Sequence, residues 1–315
     1  MKALRFNEYG QPDVLQVTDM EQPTPGPGEV LVRVAAAAIN PSDVKNVAGL
    51  FSATLPRTPG RDFSGIVVSE GAWQGKAVWG SGAGFGVVRD GAQREYLCLP
   101  ADWLSEMPAN LSLPEAATVG VPYVTAWTAL VRAGDIRSGE TVLITGSNGA
   151  VGRAAIQIAH WKGARVIAVG RSDHPSEADV AINTSKEDLQ AVVVEATGGR
   201  GVDMVLDAVG GPMFEPALKT LRQGGRQVAI TSAGMRRVEF DLMDYYHSQL
   251  HLIGVDTMKL TGIEIASILD ALRPGFESGA LTPAPYSLSS IEGARKAYAS
   301  LSAGKDSQKQ VIVFD

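Results

Sequence analysis

Gly146, Gly149 and Gly152 punctuate the stretch Thr141-Val-Leu-Ile-Thr-Gly-Ser-Asn-Gly-Ala-Val-Gly-Arg-Ala-Ala-Ile-Gln-Ile-Ala159. Glycine permits a tight turn and lets main-chain N–H groups come close to a ligand. Where such a turn opens a helix, unpaired N–H groups and the positive end of the helix dipole face an anion, above all a phosphate. The flanks supply the elements this chemistry needs. Thr141 to Thr145 is a β-branched, apolar run that reads as a buried strand, and Val151, Ala155, Ile158 and Ala159 recur at helical spacing. Strand, glycine turn and helix together hold a dinucleotide pyrophosphate, so Ser147, Asn148, Gly149, Ala150, Val151 and Gly152 are its expected contacts. The spacing departs from the usual G-x-G-x-x-G, because Ser147 takes its first position.

The following segment, Gly163-Ala-Arg-Val-Ile-Ala-Val-Gly-Arg-Ser172, returns as a second strand. An acid about 20 residues beyond the glycines holds a ribose 2′-hydroxyl, whereas an Arg there accommodates a 2′-phosphate. This chain offers Arg171 and Ser172 at that place, and its first acid, Asp173, follows the strand end. The pair favours NADPH over NADH; the competing reading of Arg171 is a solvated loop charge.

Composition narrows the classes. The 315 residues suggest two domains, each with room for a large core, and 45% hydrophobic with 20% charged residues is ordinary for a soluble globular protein. A net charge of -6 and the lack of any Lys/Arg run argue against nucleic acid as a partner. The longest uncharged stretch, Ala116 to Val131, is too short and too interrupted to span a membrane, and Met1 to Glu8 has no signal-peptide core, so the expected location is the cytoplasm. The single cysteine, Cys98, lies in the apolar run Glu95-Tyr-Leu-Cys-Leu-Pro100 and reads as a small buried hydrophobe.

The elements that must carry these residues fall in two groups. Residues 1–35 alternate apolar with polar over Met1 to Phe6, Val14 to Val17 and Glu29 to Ala35, which suits an antiparallel, barrel-like domain. Trp73 to Gly86 is a glycine-rich loop with Trp79 and Phe85, which read either as substrate contacts or as packing. Residues 116–133 read as a helix. After the second strand come helix Asp188 to Ala196, strand Val202 to Asp207, helix Phe214 to Leu221 and strand Gly225 to Thr231. That alternation specifies an α/β, doubly wound parallel Rossmann sheet. Val209, Gly210, Thr231 and Ser232 sit just past strand ends, the edge where such sheets bind ligands. Helices over Gly262 to Arg273 and Ser289 to Ala303 precede a closing strand, Gln310 to Asp315, expected to rejoin the first domain.

Several motifs resemble one family in collinear order. Asn40-Pro-Ser-Asp43, Pro59-Gly-Arg-Asp-Phe-Ser-Gly-Ile-Val67, Gly91-Ala-Gln-Arg-Glu-Tyr96, Pro122-Tyr-Val-Thr-Ala-Trp127, the glycine turn, Gly201 to Gly210, Leu221 to Arg226 and Leu252-Ile-Gly254 are similar to the medium-chain dehydrogenase/reductases. More narrowly they resemble the zinc-free quinone oxidoreductase branch. Zinc members carry a Cys near the first motif and Gly-His-Glu in the second; here no Cys precedes Cys98 and the second reads Gly60-Arg61-Asp62. Four His and one Cys, scattered, cannot converge as zinc ligands, so no metal is expected.

The resemblance implies a GroES-like, mainly antiparallel catalytic domain at 1–115 and 258–315, and an NADPH-binding Rossmann domain at 116–257. It implies hydride transfer to a quinone or an α,β-unsaturated carbonyl, with Asn40, Asp43 and Lys45 at the nicotinamide end. Lys45 is the expected oxyanion partner, since the Tyr of some relatives is replaced by Lys45 and another by Phe51; the alternative is a solvated lysine. Tyr246, with Tyr245 and His247, precedes a stretch expected near the nicotinamide, where Gly254 and Val255 also fall. Thr125 is expected at the nicotinamide or its ribose, and Thr184 takes the place of a Tyr that relatives use on the 2′-phosphate. Relatives are commonly homodimers. Two competing functions are an enoyl-thioester reductase and a nicotinamide-binding redox sensor without turnover.

Overall fold

A computed structural model describes residues 1–173, 176–232, 234–304 and 308–314. The chain divides into two compact units, Met1–Val124 with Met258–Asp315, and Thr125–Thr257.

The first unit begins with a two-stranded antiparallel ribbon, β1 (Lys2–Arg5) and β2 (Gln16–Asp19). The strand expected from Val14 starts later, because Pro12 opens a single 3-10 turn, Pro12–Val14, with its fixed φ. The long strand β3 (Glu29–Ile39) runs into the short helix α1 (Pro41–Val47). Strands β4 (Asp62–Val67), β5 (Ala77–Gly80), β6 (Tyr96–Pro100) and β7 (Ser105–Glu106) follow. Both β4 and β6 pair antiparallel with β3, and β5 links β4 to β7. Trp79 and Phe85 are packing residues: Trp79 is buried, donates Nε1–H to Ser105 Oγ at 2.8 Å and meets Phe276 edge-on, while Phe85 lies buried against Phe63. Cys98 is half-buried on β6, and burial pushes its thiol up.

Helix α2 (Leu113–Trp127) belongs to both units. The expected boundary at its start is corrected: its first half stays with the first unit, because Ala117 packs on Ala36, Ala38 and Val311. The small side chains of β3 allow that approach.

The second unit is one six-stranded parallel sheet. Its elements in chain order are β8 (Thr141–Thr145), α3 (Ala150–Trp161), β9 (Arg165–Gly170), β10 (Val180–Asn183), α4 (Leu189–Thr197) and β11 (Val202–Asp207). They continue as α5 (Phe214–Leu218), β12 (Leu221–Ala229), α6 (Leu242–His247) and β13 (His251–Gly254). The strand order is β10-β9-β8-β11-β12-β13. The chain therefore winds outward from β8 in one direction and resumes at β11 in the other. Every residue of the central strands β8 and β11 is buried, as expected of parallel strands covered on both faces. Asp188 caps α4, its side chain accepting from Ala191 N–H at 2.7 Å.

The chain then returns to the first unit through α7 (Gly262–Glu277), β14 (Tyr286–Ser290), α8 (Ala294–Ser302) and β15 (Lys309–Val313). Strand β15 pairs antiparallel with β3, Gln310 opposite Ile39, so the tail rejoins the first unit. Asp315, the last residue of the expected closing strand, lies outside the described residues.

Candidate functional site

The turn after β8 lies where the winding of the sheet reverses, the place at which parallel sheets bind ligands. Gly149 caps α3 without any side-chain bond, leaving the first N–H groups of the helix facing outward. A Cβ on Gly152 would stand 2.5 Å from Gly146 O and 2.6 Å from Ser147 Cα, so only glycine lets the helix start this close to the turn. Ser147 is fixed by its N–H and Oγ–H, both donating to Val169 O. Across the reversal, Thr145 Oγ–H donates to Asp207 Oδ1 at 2.7 Å, and the same oxygen accepts from Val209 N–H and Gly210 N–H at 3.1 and 2.8 Å.

The other expected cofactor residues gather along this edge. Val209 and Gly210 follow β11, Thr231 follows β12, and Gly254 ends β13 with Val255 next to it. Val255 N–H donates to Ala229 O, and Thr125 Oγ lies 3.4 Å from Thr257 Oγ.

A cavity of about 290 Å³ opens beside the turn, lined among others by Ser147, Asn148, Ser172, Asp173 and Asn183. Arg171 is exposed at its side, with Ser185 Oγ–H on its carbonyl. Asp173 is held by Asn183 Nδ2–H at 2.7 Å and by Lys186 Nζ, so its charge is offset inside the unit. Thr184 Oγ–H donates to Gly170 O, tying β10 to the end of β9.

Tyr246 is corrected. It sits on α6, 56% exposed, its ring tilted against that of His247, and the chain there has already crossed to the opposite edge of the sheet, where Ser248 O accepts from Gly224 N–H near the start of β12. The helix between two parallel strands must bring the chain back to the amino edge, and Tyr246 is carried with it.

In the first unit the pairing registers bring three distant residues together. Ile39 is opposite Gln310, so Lys309 falls beside Asn40, and Ala38, two residues along the chain from Asn40, is opposite Asp62, which puts Asp62 on the diagonal. Asp62, fully buried, accepts from Asn40 Nδ2–H at 2.8 Å, Ser81 Oγ–H at 2.6 Å and Val121 N–H at 2.9 Å. Lys309 Nζ lies 3.8 Å from the same carboxylate and donates to Asn40 Oδ1. Burial draws the Lys309 ammonium below its usual range, against the pull of Asp62 and Asp43. A Cβ on Gly120 would stand 2.2 Å from Asp62 Oδ1, so glycine lets α2 reach the carboxylate.

Asp43, on α1, accepts from Asn40 N–H at 2.8 Å. Burial pushes its carboxyl up to about 6, with Arg61 pulling down and Asp62 pushing up. Arg61 Nε is 3.9 Å from Asp43 Oδ1, and its Nη2 donates to Ser42 Oγ. Lys45 is exposed on α1, its ammonium without a hydrogen bond or ion pair among the described residues. Asn40 and Asp43 are thus engaged in bonds inside the unit. Sequence reading missed Arg61, Ser81 and Lys309 as members of this cluster. The available signal was a lysine opening the apolar run Lys309-Gln-Val-Ile-Val313.

Residues 26–109 match the alcohol dehydrogenase GroES-like domain, and residues 150–271 the family described as zinc-binding dehydrogenase. A zinc-type alcohol dehydrogenase-like protein of Schizosaccharomyces pombe is 38% identical over 89% of this chain and 86% of its own length. The chain belongs to the medium-chain dehydrogenase/reductase superfamily, in its quinone oxidoreductase-like branch. Human quinone oxidoreductase is 27% identical over 100% of this chain and 98% of its own. A tomato (Solanum lycopersicum) 2-methylene-furan-3-one reductase is 34% identical over 74% of this chain and 63% of its own. The solved structure of an NAD-dependent alcohol dehydrogenase superposes with a TM-score of 0.89, at 31% identity and full coverage of both chains.

The zinc of the family description does not fit the residues present. Where the branch with metal places Cys and His, this chain has Asn40 and Arg61; of the two buried carboxylates beside them, Asp62 is taken by three donors and lies 3.8 Å from an ammonium, and Asp43 accepts from Asn40 N–H. Among the described residues no group of three His, Cys, Asp or Glu converges on a point. A guanidinium and an ammonium fill the polar cluster with positive charge of their own.

Proposed function

We propose that the protein is an NADPH-dependent, metal-independent oxidoreductase that reduces a quinone or an α,β-unsaturated carbonyl. The observation that carries this reading is the bare amino end of α3 behind the Gly146–Gly152 turn at the reversal point of a parallel sheet. Membership of the superfamily supports an oxidoreductase, and the names of the human and tomato relatives support quinone and enone acceptors. When bound, the nicotinamide supplies the hydride, and the acceptor takes up that hydride and one proton. The chain's own part is to bind and orient. The α3 N–H groups face the pyrophosphate, Asp207 fixes the β11 turn, and Arg171 with Ser172 attracts a 2′-phosphate beside an acid already neutralised by Lys186. Lys45 is a free cation on α1, suited to an oxygen that gains charge.

Titration with NADPH and NADH, followed by nicotinamide absorbance with 1,4-benzoquinone, 9,10-phenanthrenequinone and a simple enone added, tests the reading. Oxidation by one of these acceptors is expected; tight binding without consumption would favour a redox-sensing protein instead. Arg171→Ala is expected to weaken NADPH about tenfold, roughly 1.4 kcal/mol, while leaving NADH unchanged. Equal losses for both cofactors would count against the 2′-phosphate role.

Among the described residues the edge strand β13 pairs only with β12 in the sheet, and Leu252 on it and Leu242 and Met243 on α6 are exposed at 38%, 64% and 60%. We propose a homodimer joined through this edge. Light scattering is expected to give the mass of two chains, and Leu252→Lys that of one; a monomeric wild type would end the idea. No helix among the described residues is long and apolar enough to cross a membrane, and a cytoplasmic location remains our proposal.

A further inference from the structure

We propose that Arg61, with the Ser42 hydroxyl it holds, is the site that receives the carbonyl or quinone oxygen of the acceptor; this rests on the reductase reading above. The argument begins with an incompletely satisfied cation. The Arg61 side chain is only 8% exposed, and a guanidinium carries five N–H donors in a fixed fork. Nη2 donates to Ser42 Oγ, Nη1 to the Met258 thioether at 2.8 Å, and Nε finds no acceptor. Asp43 lies 3.9 Å from Nε, too far for a hydrogen bond. Buried donors are nearly always satisfied, and a thioether sulfur is a weak acceptor. An oxygen with two lone pairs would displace it and take up the spare donors.

The charges around Arg61 favour an oxygen that becomes negative. Asp62 is committed to Asn40, Ser81, Val121 and Lys309. Burial makes Asp43 reluctant to ionise, so the nearest carboxylate offsets the guanidinium only in part. Ser42 accepts from Arg61 and its own hydrogen meets no acceptor among the described residues, which leaves a second donor at the same place. Lys45 shares the Ser42 face of α1, three residues on, and adds exposed positive charge. The ligand class is thus an electron-poor carbonyl whose oxygen takes the charge on reduction. A guanidinium stabilises that charge and keeps its own proton.

The test uses the full chain and 4-nitrophenol, whose phenolate is a coloured, stable stand-in for the reduced acceptor's oxygen. Wild type is expected to bind the phenolate and raise the acidity of the bound phenol at least about tenfold. Arg61→Met should bind it about tenfold more weakly, and Arg61→Lys should restore part of the loss. With an acceptor that wild type reduces, Arg61→Met should lose ~10²-fold in kcat with the NADPH Kd unchanged, the scale of one lost oxyanion donor. Thermal melts check the fold. Should Arg61→Met fail to fold, Arg61→Lys and Ser42→Ala decide by the same titration, each expected to weaken phenolate binding. Phenolate binding without turnover of any acceptor would overturn the reductase reading and leave the oxyanion site standing. Absence of phenolate binding in wild type, or equal binding in the Arg61 and Ser42 variants, would overturn the site.

Discussion

Asp62→Ala is expected to destabilise the protein by about 3–5 kcal/mol, the usual cost of removing one partner from a buried ion pair. The carboxylate is fully buried and accepts three hydrogen bonds, and each donor would lose its acceptor. Lys309, whose side chain is 5% exposed, would keep only Asn40 Oδ1. Its ammonium is already disfavoured by burial, and without Asp62 it would give up its proton or draw in water. The companion experiment is Lys309→Met in the same background. Methionine fills the space without a charge, so the double variant is expected to recover roughly half of the loss, a coupling of about 2 kcal/mol. Urea unfolding of wild type, both single variants and the double variant measures it. Additive effects, or an Asp62→Ala cost below about 1 kcal/mol, would show that Asp62 and Lys309 do not depend on each other.

The residues of that pair explain where sequence reading succeeds and where it stops. The Gly146–Gly152 turn was legible because its signals are local: a buried strand before it, a helical period after it and glycines where a Cβ would strike backbone. The parallel sheet followed from the alternation of such segments. Strand β10 escaped notice because Val180-Ala-Ile-Asn183 has only four residues, too few to show a period. Asn40, Asp62 and Lys309 meet only through the registers of β15 on β3 and β3 on β4, and register is not a local property. Tyr246 illustrates the same limit from the other side. Its nearness in sequence to Gly254 suggested nearness in space, yet α6 delivers it to the other edge of the sheet. Trp79 and Phe85 looked like loop residues because glycines surround them, whereas β5 turns Trp79 inward and Phe63 covers Phe85.

Asp43→Asn is expected to change how stability depends on pH, and the sign follows from the direction of the shift. Burial raises the Asp43 carboxyl from 3.8 to about 6, so the native protein holds that proton more tightly than the unfolded chain does. Its contribution is therefore fully present below about pH 4 and is lost as pH rises toward 6, after which the curve is flat. The difference corresponds to roughly 3 kcal/mol. The groups that face Asp43 are Arg61, which opposes the shift, Asp62, which adds to it, and Lys309, which opposes it. Asparagine keeps an oxygen for the Asn40 N–H and has nothing to ionise. Urea midpoints of wild type and variant between pH 4 and 8 give the comparison, and carboxylates common to both cancel in the difference. Wild type is expected to lose about 3 kcal/mol relative to the variant across the window from about 4 to about 6. A difference that stays level with pH, or that rises in favour of wild type, would mean that Arg61 offsets the burial of Asp43 completely, and the guanidinium would then have no charge to spare for a ligand.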